Sequence, residues 1–387
     1  MTPALQNSDS NTEVVMKLFS FATVVLIVVL ACGSARSVAE AASASLAKAK
    51  QDAEANGYIF LSSHDEILNK AKAEGRLRAS TSLSAPTNKA MVNAFKKKYP
   101  FVEVAVEEID GTDAAQRFLL ELKAGAAKGW DVAHFPSDYF NDFVPFALKF
   151  DILGMAAQKV LAIDERMVDP RNRNVVALAA DAGVIPYNRK LIAPEKVPDR
   201  WEDFVKPEFK GKKFIVDIRP KTQSDLIPAM GLEWMLDYSR KLAAQQPIWT
   251  RGGTRILTSM VAGEYALHAG IDYNAVVRVM GKDRGDSLAY KVIEPVPVRI
   301  KDTPAVLKTA SRPYAGLLWL EFQASSEGQA IIDEYEPISA SFYTPGSALE
   351  KLLRGRRISL VDWQNQHLKQ TWMAKIVEAF GFPKPER

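Results

Sequence analysis

The stretch that decides the fold is YNRKLIAPEKVPDRWEDFVKPEFKGKKFIVD, residues 187–217, near the middle of the 387-residue chain. Its prolines fix φ and favour an extended path over a surface. Trp201 and Phe204 are spaced to anchor a short helix, and Gly211 suits a turn into the apolar run FIV. Neither a helix nor a sheet requires such a ribbon. We therefore interpret it as the connection that enters a second half of the molecule.

Upstream of the ribbon, short strands alternate with longer helices. Residues 101–109 (FVEVAVEEI) alternate apolar and acidic side chains, which is typical of a strand with one face in water. Gly75 and Pro100 stand where the first two helices end. This alternation predicts βαβ units and a largely parallel sheet, with helices at 64–75, 84–99 and 113–125 and strands at 76–82, 101–109 and 130–135.

The same alternation resumes downstream, with a strand at 213–218 and a long helix at 225–242 for which Ser224 is the expected N-cap. Two extended segments containing proline and glycine, 177–187 and 290–300, suit crossings between two lobes. Pro295 and Pro297 exclude a central place in a sheet along the whole second segment.

These patterns predict an α/β protein with two lobes, each built on a mixed sheet flanked by helices, and a hinge of two crossings. In such folds ligands bind beyond the carboxyl ends of the strands. The predicted divisions are a signal peptide at 1–39, a helical lead-in at 40–75, the first lobe at 76–180, the second lobe at 181–298, and a return to the first lobe with C-terminal helices at 299–387.

The N-terminus has the order of a secretory signal peptide. Lys17 precedes the apolar run 18–31, and Ser37-Val38-Ala39 is a candidate cleavage site. The run is shorter than the ~20 residues that span a bilayer, although a retained anchor is the alternative. Cys32 follows a loose lipoprotein box, so lipidation there is a second alternative. Met16 is an alternative start, which would leave residues 1–15 outside the protein.

Composition narrows the function classes. The formal charge is +4, and basic and acidic residues are interspersed, so we expect no nucleic-acid partner. Cys32 is the only cysteine, which leaves the processed chain without disulfide or thiolate chemistry. The sequence has no Gly-x-Ser-x-Gly nucleophile elbow and no obvious pair of catalytic carboxylates. These absences argue against an enzyme.

Several phrases of the sequence together resemble one known family. They are AKAEGRLRASTS (71–82), FKKKYPFVEV (95–104), the ribbon itself, VAGEY (261–265) and ASRPYAGLLWLEFQASSEGQAII (310–332). In order and spacing they are similar to the extracellular solute-binding proteins of bacterial ABC importers, in the branch of ferric-ion and small-solute binders. The likeness covers residues 64–380.

The resemblance implies a periplasmic-binding-protein fold of type II that closes on a small solute without altering it. It implies a periplasmic monomer without a cofactor, whose partners are an ABC permease and ATPase in the inner membrane. A sensor in place of a transporter is an alternative partner. A secreted enzyme on the same scaffold is the alternative from another class.

Ferric binders of this family carry two consecutive tyrosines after the Gly-Glu pair. Here Tyr273 matches the first tyrosine and Asn274 stands in place of the second, while the loop after the first strand has serines where those proteins have a histidine. A ferric ion prefers several anionic oxygen ligands. The resemblance therefore favours an organic or oxyanion solute, with a ferric ion held by Tyr273 and Asp272 as the alternative.

The predicted solute contacts are polar residues at strand ends, helix starts and crossings. Three of these residues have an alternative role. Ser84 would cap the next helix, Arg219 would be exposed to solvent before Pro220, and Tyr187 would only pack beside the crossing. The predicted ligand-binding residues are Ser82, Ser84, Thr112, Ser137, Tyr187, Arg219, Thr222, Ser224, Asp272, Tyr273 and Asn274.

Overall fold

The computed structural model of the protein describes residues 42–109 and 112–382. The predicted signal peptide, the alternative start at Met16 and the lipidation site Cys32 lie outside these residues. Within the two ranges, no helix combines the length and apolar character needed to cross a membrane.

Helices and strands alternate as the sequence predicts. The helices are α1 (42–55), α2 (His64–Glu74), α3 (Ala85–Lys98), α4 (Thr112–Lys123), α5 (Phe140–Phe143), α6 (Ile152–Ala157), α7 (Lys221–Ser224), α8 (Ile227–Met230), α9 (Leu232–Ala244), α10 (Gly253–Val261), α11 (Tyr273–Met280), α12 (Pro313–Ala324), α13 (Ser326–Tyr335), α14 (Ala348–Leu353) and α15 (Lys369–Phe380). The strands are β1 (Arg76–Thr81), β2 (Glu103–Glu108), β3 (Val132–Phe135), β4 (Ala180–Asn188), β5 (Ile215–Asp217), β6 (Ile248–Thr250), β7 (Ile271–Asp272), β8 (Leu288–Lys291), β9 (Val296–Ile300), β10 (Thr303–Val306) and β11 (Ile358–Val361).

The first sheet has the order β10-β3-β1-β2, with β1 parallel to both β2 and β3 and with β10 antiparallel to β3. Helix α12 covers it and is buried on all sides from Ala315 to Ala324. In the core beneath, Phe95 contacts Trp319 and Phe322 at ring-centroid distances of 5.1 and 5.4 Å. Because β1, β2 and β3 are parallel, their carboxyl ends meet along one edge of the sheet.

The second sheet has the order β11-β9-β4-β7. Strand β8 also pairs with β4, along residues 185–188, which follow the residues of β4 that pair with β7. Strand β4 is antiparallel to β7, β8 and β9, whereas β11 is parallel to β9. All nine residues of β4 are buried. A small parallel pair, β5 and β6, lies beside this sheet. The predicted fold of two mixed sheets flanked by helices is thus confirmed.

The ribbon 187–217 has the structure that its residues predict. Trp201 and Phe204 lie in the 3₁₀ helix Trp201–Val205 and are fully buried. The indole Nε1 of Trp201 donates a hydrogen bond to the carbonyl oxygen of Pro295 at 3.1 Å. Gly211 has φ of +86°, which a residue with a side chain rarely adopts. The ribbon is therefore anchored in the second lobe by aromatic packing.

The predicted long helix at 225–242 is wrong. The segment contains two helices, α8 and α9, separated at Gly231, which has φ of +88°, and the short helix α7 ends before it at Ser224. Pro228 lies in the first turn of α8, where its missing N–H costs nothing. Ser224 ends α7 and does not cap a helix start, because its hydroxyl donates to the carbonyl oxygen of Lys221 at 2.7 Å.

The C-terminal segment predicted to return to the first lobe divides between the two sheets. Strand β10 and helix α12 belong with the first sheet, but β11 pairs with β9 and α15 packs against α9. Phe380 of α15 lies 4.8 Å from Trp249 of β6, ring centroid to ring centroid, which explains the placement by apolar burial. A third segment, 336–347, also passes between the sheets. The lobe boundaries derived from the sequence stay predictions.

Candidate functional site

A polar pocket lies where the carboxyl ends of the first sheet face the second sheet. Its volume is about 80 Å³. The first lobe contributes the residues that follow β1, β2 and β3, and the second lobe contributes the start of α7 and the facing ends of β7 and β9. Its lining includes Ser82, Ile109, His134, Ser137, Asp138 and Tyr139 from one side and Lys221, Asp272, Arg299 and Lys301 from the other.

Arg299 is the centre of the charge network behind this pocket. Its guanidinium nitrogens donate to both carboxylate oxygens of Asp272 at 2.8 and 2.7 Å, and Nη1 donates to Asp225 at 3.2 Å. Asp225 in turn contacts the buried ammonium group of Lys369. Arg299, Asp225 and Lys369 are all nearly inaccessible to solvent. Because buried charges are costly unless they are paired, each of them depends on its partners.

These charges shift the pKa values of the carboxyl groups. Burial alone would raise the pKa of Asp272, but the charge and hydrogen bonds of Arg299 outweigh it, and the pKa lies well below its usual range. Burial and the negative charge of Asp272 raise the pKa of Asp181, which has one oxygen 3.9 Å from Arg299 and from Lys301. The two carboxyl groups thus differ in their environments within one site.

One ion pair in the pocket joins the two lobes. Nζ of Lys221, at the start of α7, lies 2.6 Å from Oδ2 of Asp138 in the first lobe. Burial alone would raise the pKa of Asp138, but the charges of Lys221, Lys369 and Arg299 and the hydrogen bond with Lys221 together outweigh burial and lower it. A second, exposed pair across the lobes connects Arg251 and Asp113 at 2.5 Å. The lobes are thus in direct contact around the pocket.

Neutral groups complete the lining. The hydroxyl of Ser82 is buried and has no hydrogen-bond partner among the described residues. The hydroxyl of Ser137 donates weakly to Asp138 at 3.4 Å. Nδ1 of His134 contacts Asp302, which also accepts a hydrogen bond from Thr81 at 3.3 Å. Ser82 therefore has an unused donor and acceptor at the pocket wall.

A second and larger cavity, of about 670 Å³, lies at the same junction. It lies between α10 and α11 of the second lobe and the residues around Pro86 of the first lobe. Ser84, Glu108 and Asn274 line it. The amide nitrogen of Asn274 is buried and lacks a hydrogen-bond partner in the described part of the chain. Below, the two spaces are called the polar pocket and the larger cavity.

The structure brings together three of the predicted contacts, Ser82, Ser137 and Asp272, in the polar pocket. It places Ser84 and Asn274 in the larger cavity. The remaining predicted residues lie elsewhere. Tyr187, Thr222 and Ser224 are buried in the second lobe, and Tyr273 packs in an apolar core. Arg219 pairs with Asp217, and the side chain of Thr112 lies outside the described residues.

Tyr273 is oriented away from the polar pocket. Its ring meets that of Tyr290 edge to face at 5.2 Å, within an apolar cluster. Burial and a hydrogen bond with Tyr290 raise the pKa of Tyr273, which disfavours the phenolate that a ferric ion would bind. Asp272 is already engaged by Arg299. The predicted ferric ligand pair is therefore not assembled, and the described ranges contain no cluster of three His, Cys, Asp or Glu suited to a metal ion.

The sequence reasoning missed the charged residues that dominate the site: Lys221, Arg299, Lys301 and Asp138. A signal for some of them was present, because Arg299 interrupts the apolar strand VPVRI and Asp181 interrupts ALAADAGVI. Charged residues are almost never buried unless they are paired. A charge inside an apolar strand therefore marks a buried ion pair, although it does not identify the partner.

Two lobes that enclose a small polar pocket define the class of extracellular binding proteins that close on a solute. A family model described as "Bacterial extracellular solute-binding protein" matches residues 139–366, which is more than half of the chain. The chain therefore belongs to the bacterial extracellular solute-binding protein family, which confirms the prediction of a binding protein rather than an enzyme. Comparison with curated protein sequences gives no match.

Solved structures share the fold. Iron-bound HitA from Pseudomonas aeruginosa aligns with a TM-score of 0.56 at 16% identity, over 79% of this chain and 99% of that one. The apo ferric ion-binding protein A of Pasteurella haemolytica aligns with a TM-score of 0.59 at 15% identity, over 81% of this chain and 100% of that one. A substrate-binding protein of an ABC transporter from Agrobacterium tumefaciens aligns with a TM-score of 0.57 at 17% identity, over 80% of this chain and 96% of that one. At these identities the likeness establishes the fold alone.

Proposed function

We propose that the protein is the solute receptor of a bacterial ABC import system, and that it captures a small organic anion or oxyanion in the polar pocket. The observation that carries this proposal is the charge of the lining. Three cationic side chains, Lys221, Arg299 and Lys301, face two carboxylates, Asp138 and Asp272. An anion with one negative charge complements this excess of one positive charge.

Of the three cations that line the pocket, Lys301 has the most distant carboxylate partner. The nearest carboxylate oxygen, on Asp181, is 3.9 Å away, whereas Lys221 and Arg299 have partners at 2.6 and 2.7 Å. Lys301 is 16% exposed, so it can reach a solute in the pocket. An anion held by Lys301 and by the hydroxyl of Ser82 would use the groups that the protein leaves least satisfied.

The same charges oppose a ferric cargo. The similar HitA of Pseudomonas aeruginosa binds iron and the similar Pasteurella haemolytica protein is a ferric ion-binding protein. Here, however, the two carboxylates of the lining are already paired, Asp272 with Arg299 and Asp138 with Lys221, so neither is free to ligate a ferric ion. Tyr273 also lies in a core and not at the pocket. These points support an anionic solute over the ferric alternative.

The role in transport follows from the family and the fold. The family is extracellular, and the similar Agrobacterium tumefaciens protein is the substrate-binding component of an ABC transporter. We propose periplasmic delivery of the solute to a permease and ATPase in the inner membrane, by a monomer whose two lobes separate to release it. A lipid anchor at Cys32 and a role in sensing are the alternatives that cell fractionation and gene neighbourhood would distinguish.

The test is a thermal-shift screen of the purified protein. A ligand that binds only the folded state raises the melting temperature by mass action. The panel contains phosphate, sulfate, methylphosphonate, aliphatic and aromatic carboxylates, ferric citrate, thiamine and polyamines. We expect shifts from one class of anion. A shift confined to ferric citrate, with tyrosinate colour, or to the cationic compounds would refute the proposal.

Substitution of Lys301 connects any such shift to the pocket. Since a hydrogen bond to a charged group contributes about 1.5–3 kcal/mol, Lys301→Ala should weaken anion binding by roughly tenfold or more. Lys308→Ala is the matched control, because Lys308 is exposed and does not line the pocket. Equal affinities of the two variants would place the solute elsewhere.

A further inference from the structure

The polar pocket and the larger cavity share their walls. Three segments each contribute a residue to both spaces. They are Ser82 and Ser84 after β1, Glu108 and Ile109 at the end of β2, and Asp272 and Asn274 where β7 passes into α11. Residues two apart in a chain are within about 7 Å of each other. The two spaces are therefore lined by neighbouring residues on both lobes.

Their chemistry differs sharply. In the larger cavity, Pro86, Val261, Val277, Tyr335 and Pro337 supply apolar surface from both lobes and from the segment that joins them. Such a surface gains by contact with an apolar group, because burial of apolar area is favourable.

Three acidic and two basic side chains line the larger cavity: Glu108, Asp283, Glu336, Arg278 and Lys282. Arg278 lies 3.3 Å from Glu336 and 3.8 Å from Glu108. Its Nη2 also lies 3.4 Å from the carbonyl oxygen of Ser82, whose hydroxyl lines the polar pocket. Arg278 thus stands at the boundary between the two spaces. The larger cavity has no cationic excess comparable with that of the polar pocket.

We infer that the solute is amphipathic, with an anionic head in the polar pocket and an apolar tail in the larger cavity. This inference rests on the proposed function, and it narrows the solute to anions that carry an alkyl or aryl group, such as organic carboxylates or phosphonates. The volume of about 670 Å³ accommodates such a tail, whereas about 80 Å³ suits a head of a few atoms. The unpartnered amide nitrogen of Asn274 offers a hydrogen bond to a polar atom between them.

The test compares matched anions by calorimetry on the full protein. The two series are methyl-, butyl- and hexylphosphonate, and acetate, pentanoate and phenylacetate. Each buried methylene contributes about 0.8 kcal/mol, so affinity in at least one series should rise about fourfold per methylene. Uncharged alcohols with the same tails should bind far more weakly.

A cavity-filling variant locates the tail. Thr258 lines the larger cavity from an exposed position on α10, and Thr258→Trp should abolish the gain with tail length. Thr254→Trp, one turn earlier on the same face, provides a second obstruction. Arg255→Trp places the same residue on the exposed side of α10 outside the cavity, and it should retain the gain. Melting temperatures of the free variants show whether each is folded.

The outcomes separate the two proposals. If short and long anions bind equally, or if Thr258→Trp and Thr254→Trp both keep the fourfold gain, the tail inference fails while the anion receptor stands. If no anion of either series binds, the tail inference fails. The proposed function fails as well only if phosphate, sulfate and the other anions of the thermal-shift panel also give no shift.

Discussion

Both lobes contain apolar clusters, but the second lobe also buries a network of paired charges. In the first lobe, α12 presents an unbroken apolar surface to the sheet, and Trp319 lies among Phe95 and Phe322. In the second lobe, Arg299 and Lys369 occupy the interior with Asp225 between them. An apolar core stabilises by burial alone, whereas buried ions stabilise little unless every charge is matched. The difference indicates that the apolar core of the first lobe is scaffold and that the second lobe holds the cationic wall of the site.

The largest effect is expected in the apolar lobe. Trp319→Ala should lower the free energy of unfolding by about 3–5 kcal/mol, because it removes a large buried side chain and leaves a cavity. Urea denaturation followed by circular dichroism measures the loss. Leu120→Ala on α4 is the control, since Leu120 is 60% exposed and its removal should cost less than about 0.5 kcal/mol. A loss below about 1 kcal/mol for Trp319→Ala would contradict the scaffold assignment.

In the second lobe, substituting one member of a buried ion pair should lower the free energy of unfolding more than substituting both members. Asp225→Leu leaves Lys369 without its partner and removes one carboxylate from Arg299, so we expect a loss of about 3–4 kcal/mol. Adding Lys369→Met should recover most of this loss, because a matched apolar pair replaces an unmatched charge. Urea denaturation of both variants measures the recovery. Equal instability of the single and double variants would show that the charges are not coupled.

A histidine in each lobe should make the free energy of unfolding depend on pH, and the two dependences should have opposite signs. Burial lowers the pKa of His268, in the second lobe, from 6.5 to about 4. The unfolded chain then binds a proton that the folded chain excludes, so stability falls by up to about 3 kcal/mol as the pH decreases from 6.5 to 4. His268→Gln should flatten this part of the stability profile. An unchanged slope would refute the assignment.

His64, in the first lobe, should act in the opposite direction. A hydrogen bond with Glu321 at 2.7 Å raises the pKa of this half-buried imidazole. Its contribution to stability is present below pH 6.5 and is lost as the pH rises through the folded pKa. His64→Gln should therefore reduce stability at pH 6 more than at pH 8, as measured by the same denaturation experiment. The reverse order would contradict the pair with Glu321.

The smallest effect is expected where the lobes meet in solvent. Asp113→Asn removes the exposed pair with Arg251, which should cost less than about 1 kcal/mol and become undetectable at high salt. Melting temperatures at low and high ionic strength test this. A large, salt-independent loss would mean that this pair holds the lobes together, contrary to its exposure.

The sequence by itself determined what depends on neighbours in the chain. The helix ending at Gly75, the strand after it, the turn at Gly211 and the anchor of Trp201 and Phe204 follow from local patterns and were confirmed. The order of these elements also sufficed to predict two lobes, and the resemblance to solute-binding proteins added the prediction of a binding protein. Local periodicity and backbone preference act over a few residues, so a single sequence displays them.

Only the tertiary structure decided which charges form the site. Asp225 meets Arg299 across 74 residues of chain and Lys369 across 144, and no local pattern specifies such partners. Tyr273 and Asp272 are adjacent in sequence, yet one enters an apolar cluster and the other faces the pocket, because successive side chains at the start of α11 point in different directions. The energy of a buried charge depends on every group packed around it, and packing is a property of the folded chain.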